Sequence, residues 1–396
     1  MLDIHHYSSQ MQAAVDAAVD AAPALGLTAA STVLADFMLQ VGPFDRHCAS
    51  GNDTGRVWAA HVAADVPLAA QLLRALCGIQ DHLSRASAGP YMVPVLGWVT
   101  HAGAPCMAAS SECGRRWLQL LHGAAQDCYA TSDAANLTVL VTNVLDVLHA
   151  VGIVHAVRCA GTAATWLQCL RWLCLGSGVP CGSLDRPGYV ALMPTAAKLA
   201  VRFVDHDAVV AAFMHLCNDV VWEPEDAPCV VTPLLAAVDA VVTWRTGGTA
   251  HAAECAWAVT TLEAAAAFDA PQLVTAGAVE VAAAAVAVLV SVPSTTSAPV
   301  LDMYLNTALQ VVRATVGEPA VVAGARARGP CARAALARSA AAGTRVCALV
   351  EAFAAGAGVS VADPVPLTLV AHACALKQKM YAVFVEELAH TRGTCA

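Results

Sequence analysis

Between Pro299 and Thr315 the apolar residues Leu301, Tyr304, Leu305, Ala308, Leu309 and Val312 recur at i, i+3, i+4, i+7, i+8 and i+11. That is the period of one face of an α-helix. Asp302, Asn306, Gln310 and Arg313 fall on the other face. The stretch from Leu137 to Val151 repeats the arrangement, with Leu140, Val144, Leu148 and Val151 inward and Asn143, Asp146 and His149 outward. No run of alternating β-branched residues bounded by turns suggests a sheet. The chain therefore reads as all-α.

Helix starts and stops punctuate the pattern. Asp207, Thr232, Thr249, Asp269, Ser297, Thr344 and Asp363 stand where side-chain oxygens can accept from free amides of a first turn. Pro233 and Pro364 follow two of these caps, where a missing N–H costs nothing. Gly176, Gly247, Gly317 and Gly356 are expected to close helices in the left-handed conformation. Alternate caps lie 42 residues apart from Asp207 to Thr249 and 48 from Thr249 to Ser297. Helical repeats of two or three helices run about 40–47 residues. One such unit cannot bury its own face, so neighbours must stack. The expectation is an irregular helical region over 1–135 and a helical-repeat array over 136–396. Helices are also expected near Gln10–Ala22, Thr28–Val41, Arg56–Gly78 and Arg115–Ala125. The segments Gly42–Arg56, Cys181–Tyr189, Glu223–Pro228 and Ser294–Pro299 read as connecting loops.

The stretch from Ala252 to Leu262 (AAECAWAVTTL) resembles the third helix of an armadillo repeat, with small residues, then Trp257-Ala258, then an apolar residue further on. Gly152 to Val157, followed by a small-residue helix bearing Trp166, Leu167 and Leu170, is similar to the family's junction of glycine and apolar helix. The resemblance covers the C-terminal two-thirds. It implies an α-solenoid of stacked helix pairs or triplets, of armadillo or HEAT type. The peptide-gripping asparagine of armadillo importins has no counterpart, because Thr260 and Thr261 occupy its region. Importin-type peptide binding is therefore not implied.

Composition narrows the function classes. Apolar residues make up 58% of the 396, against the usual 45–50% or so, which argues against disorder. Aromatics are only 5%, so the core must be built from Ala, Val and Leu. The net charge of −9 opposes a general nucleic-acid binder. A mean hydropathy of +0.59 raises the possibility of a polytopic membrane protein. Yet the apolar run Val281–Val292 reaches the roughly 20 residues of a span only across prolines or Glu280, and Leu137–Val157 carries Asn143, Asp146 and two histidines. The sixteen cysteines show no C-x-x-C pair, and Cys169, Cys174, Cys217, Cys255 and Cys374 sit inside apolar runs. With a polar Met1–Gln12, they read as reduced thiols of a cytoplasmic or nuclear protein.

The familiar chemical motifs are missing. There is no phosphate-binding glycine loop with its lysine, no G-x-S-x-G elbow and no H-E-x-x-H. His5, His6, His101, Cys106, Cys113, His122 and Cys128 lack structural-zinc spacing. His47 beside Cys48 is the one such pair in a polar loop. No cofactor is implied. One charge feature stands out: Arg326, Arg328, Arg333, Arg338 and Arg345 lie within twenty positions that contain no acid. On one continuous helix 326 and 333 would share a face, as would 338 and 345. This basic island is the expected docking patch for an acidic partner, a phosphorylated segment or RNA. The alternative is a solvated face or a loose linker. The functional expectation is a non-enzymatic scaffold that binds another protein through its helical surface. An all-helical enzyme and a membrane protein are the competing readings.

Overall fold

A computed structural model describes residues 107–108, 110–132, 144–145, 147–177, 186–219, 227–244, 249–291, 298–356 and 364–393. The described residues are all-helical, with no strand. The helices are α1 (Ser111–Ala130), α2 (Ile153–Ala156), α3 (Ala160–Ser177), α4 (Arg186–Arg202), α5 (Asp207–Asp219) and α6 (Ala227–Trp244). They continue with α7 (Thr249–Ala276), α8 (Ala278–Ser291), α9 (Ala298–Ala314), α10 (Pro319–Ala327), α11 (Pro330–Gly356) and α12 (Pro364–Gly393). The helices predicted before residue 107, the polar loop 42–56 with His47 and Cys48, His5 and His6, the caps Ser297 and Asp363, and Gly247 lie outside the described residues.

The chain divides into two compact units, Met1–Leu192 and Met193–Ala396. The boundary expected at 135/136 lies outside the described residues. In the first unit, α1 opens on Ser110, whose hydroxyl accepts from the Cys113 amide at 3.3 Å. It buries Trp117, Leu118, Leu121 and Cys128 against α3. The predicted inner positions Val144, Leu148 and Val151 are buried, but the backbone there takes a wide π-turn over Leu148–Gly152. The Leu148 carbonyl accepts from the indole of fully buried Trp166 (3.0 Å).

In the second unit α7 packs closely on α5, α6, α8, α9, α10 and α11, α8 packs on α11, and α9 and α11 pack on α12. All these partners lie at most four helices apart along the chain. Within the armadillo-like stretch Ala252–Leu262, Cys255, Ala256, Ala258, Val259 and Leu262 are buried, and the Trp257 ring lies 4.3 Å from His215 of α5. In α9, Leu301, Leu305, Ala308, Leu309 and Val312 are buried while Asn306 and Arg313 are exposed, as the periodicity predicts.

Asp207 and Thr249 are the first residues within α5 and α7. One expected cap forms. At Asp269 the backbone leaves the helical region (φ −145°, ψ 65°), and its carboxylate accepts from the Gln272 amide at 3.0 Å. This is an N-cap inserted into one continuous helical run. Two expected caps do not form. The α6 helix starts at Ala227 and runs through Thr232 and Pro233. An interior proline costs about 3 kcal/mol. Val230, Val231, Leu234 and Leu235 flank it and are all buried, at about 1.5–3 kcal/mol each, so packing wins. Thr344 lies inside α11, where its hydroxyl donates to the Ala340 carbonyl (3.0 Å) and needs no cap. Arg186–Tyr189, read as part of a turn, instead opens α4.

The left-handed stops also differ. Among the described residues positive φ occurs at Ser132 (+56°), Gly277 (+87°) and Gly329 (+102°), not at Gly317. Gly317 is needed for space: a Cβ there would lie 2.8 Å from the Arg313 backbone.

No single described helix is long and apolar enough to cross a membrane. The pair Asp269–Ala276 and Ala278–Ser291 reaches the length only across a 69° bend.

Candidate functional site

The arginine island is divided by the fold. A helix break at Arg328–Gly329 separates Arg326 on α10 from Arg333 on α11, so they do not share one helical face. Arg333 instead donates from Nε to the Arg326 carbonyl across the turn (3.4 Å). Arg326 is turned inward. Its guanidinium meets Glu386 at 2.7 Å and Glu387 at 2.6 Å, both on α12. Arg338 lies 3.8 Å from Glu280, whose other oxygen accepts from the buried Ser339 hydroxyl at 2.9 Å. Arg338 and Arg345 do share α11, and both are exposed, as is Arg328. Three of the five arginines are thus tied to neighbouring groups, and the island is a set of interhelical fasteners with an exposed remainder.

A different set of basic residues converges nearby. The last turns of α9 and the middle of α12 enclose a cleft of about 280 Å³ lined by Leu309, Gln310, Arg313, His372, Ala375, Leu376 and Lys379. On α12 the contributors are i, i+3, i+4 and i+7, which lie on one face. On α9 they are Leu309, Gln310 and Arg313. Leu309 and Leu376 form a nearly buried floor. Arg313, His372 and Lys379 are exposed on the rim, and none of them is ion-paired to a described residue. Among the described residues no acidic side chain lines the cleft. The sequence offered a partial signal: Arg313 falls on the polar face of its helix, and Lys379 is one of only three lysines. Nothing local places the two together, because they are 66 positions apart.

The opposite face of α12 carries a second feature. Tyr381, Val385 and Leu388 are 63%, 45% and 37% exposed and stand at i, i+4 and i+7. The inner face buries Leu369, Ala373, Leu376 and Met380. Cys374, expected to be buried, is exposed on this outer side, its thiol donating to Glu351 (3.3 Å), which also binds Lys377. Cys169, Cys174, Cys217 and Cys255 are buried, as expected. Burial pushes the Cys255 thiol up to about 12 and raises Cys169, Cys174 and Cys217 as well.

The first unit holds one buried ring of note. His155 is 3% exposed, with Nε2 against the Met107 carbonyl and no partner at Nδ1. Gly114 makes room for it, since a Cβ there would lie 2.2 Å from the ring. This is a packing arrangement on α1. Among the described residues no group of three or more His, Cys, Asp or Glu is placed to hold a metal ion. Comparisons with known protein families, curated proteins and solved structures find no match to this chain.

Proposed function

We propose that this chain is a non-catalytic scaffold that binds another protein through its helical surface. The observation that carries the proposal is the outward stripe Tyr381, Val385 and Leu388 on α12. A surface helix ordinarily has one apolar face, and a helix apolar on two faces is one that packs on both sides. The inner face of α12 is occupied by its own chain, which leaves the outer face for a partner. The packing of helices close in chain order in the second unit supports an α-solenoid of armadillo or HEAT type.

Purification of the tagged full chain from its native cells tests the binding. A partner at stoichiometric level is expected. It should be lost from Val385→Asp while the melting temperature stays within a few degrees of wild type. A chain that purifies alone, or a partner indifferent to Val385→Asp, would refute the reading. Small-angle scattering tests the solenoid separately: an elongated, curved particle is expected, and a compact globe would exclude it.

A further inference from the structure

We infer that the cleft between α9 and α12 receives an acidic segment of the partner protein, with an apolar side chain seated on Leu309 and Leu376 and flanking carboxylates held by Arg313 and Lys379. The inference rests on the protein-binding reading and adds the chemistry of what is bound.

The first argument is electrostatic. The chain carries 30 acids against 21 Lys and Arg, so a basic side chain has no shortage of internal partners. Arg326 takes two glutamates, Arg338 takes Glu280, and Lys377 takes Glu351. Arg313 and Lys379 take none among the described residues, although both border the same cleft and His372 stands on its rim. Cations gathered without a counter-ion attract an external anion and help orient it.

The second argument is the floor. Leu309 and Leu376 are 1% and 8% exposed, and Ala375 keeps the opening clear. A bare anion would make no use of such a floor. A polynucleotide would use the cations but not the floor, and two contacts would leave most of its backbone charge facing a net acidic protein. At about 280 Å³ the cleft sits just below the roughly 300–1,000 Å³ of small-molecule sites, so it suits one or two side chains of a docked polypeptide.

The third argument concerns the division of labour. Exposed ion pairs are individually worth only about 0–1 kcal/mol. The apolar insertion must therefore supply affinity, while Arg313 and Lys379 select for acid on either side of it. Gln310 offers both a donor and an acceptor to a passing main chain.

Fluorescence polarisation with the full chain and labelled peptides tests this. The acidic–apolar probe EEDLLDEE is expected to bind about tenfold or more tighter than the neutral QQNLLNQQ and the floorless EEDSSDEE. Arg313→Glu and Lys379→Glu should each weaken it about tenfold, and the double reversal should transfer preference to KKNLLNKK. Ala375→Trp, which fills the cleft from an exposed position, should abolish binding. Equal binding of the three probes, or binding indifferent to both charge reversals, overturns the inference. The two proposals fail separately. A native partner lost from Val385→Asp, alongside peptides that ignore charge reversal, sinks the cleft inference alone. Charge-swapped peptide binding by a chain with no native partner sinks the scaffold reading and leaves only the cleft's selectivity for acidic peptide.

Discussion

The guanidinium of Arg326 lies 2.6 Å from the carboxylate of Glu387, which is 1% exposed and 61 positions further along the chain. The pair fastens the short helix α10 to the C-terminal half of α12. Removing one member of a buried pair is costly because the other charge stays desolvated. Arg326→Met should therefore destabilise the chain by about 3 kcal/mol in urea denaturation. Replacing both residues, as Arg326→Met with Glu387→Leu, should recover most of that loss. A single variant within 0.5 kcal/mol or so of wild type would show the pair to be energetically idle.

Gly343 sits in the middle of α11, where a glycine normally weakens a helix. A Cβ there would lie 3.0 Å from Val312 of α9 and 3.2 Å from Met380 of α12. The missing side chain lets three helices approach. Gly343→Ala gains about 1 kcal/mol of helix propensity against a tight contact, so a near-neutral melting temperature is expected. Gly343→Leu overpacks the same site and should cost about 1–3 kcal/mol. A stabilised Gly343→Leu would mean that the helices are not pressed together there.

Asp269 caps the second segment of α7, and Pro271 follows within its first turn. Asp269→Ala should cost about 1 kcal/mol, whereas Asp269→Asn, which retains an accepting oxygen, should cost much less. Gln272 also donates from its side chain to Thr232 on α6 (3.0 Å), so loss of the cap should loosen that contact. Hydrogen exchange at the amide of Gln272 reads both effects, and unchanged protection in Asp269→Ala would contradict the assignment.

Cys159 immediately precedes the first residue of α3, exposed, and its pKa is held below the ordinary thiol value by the backbone amides of Thr162 and Gly161, with Arg115 adding positive charge. Cys374 is also exposed, but its bond to Glu351 raises its pKa. A lowered pKa means more thiolate at a given pH, and thiolate is the reacting form. Site-resolved alkylation near neutral pH should label Cys159 ahead of Cys374, with Cys169, Cys174 and Cys217 protected until unfolding. The Cys159 rate should level off at a lower pH than that of Cys374. Faster labelling of Cys374 would reverse the ranking.

Helix class, the inner face of α9 and the cap at Asp269 were legible in the sequence because each depends on residues within about four positions, the reach of one helical turn. The same reach explains what was not legible. Whether Thr232–Pro233 begins a helix or is carried through one depended on how deeply Val230 and Leu234 were buried, which is a property of the packed unit. Whether five arginines formed a surface patch depended on where α12 brought Glu386 and Glu387. Arg326 and Arg338, without a local acid, found one on a distant helix, while Arg313 and Lys379, 66 positions apart, border the same cleft. Sequence alone determined that the described segments are helical and, in α9, which face is apolar. Tertiary structure decided which charges are paired inside the molecule and which stay exposed, because a charge's partner is set by distance in space and not by distance along the chain.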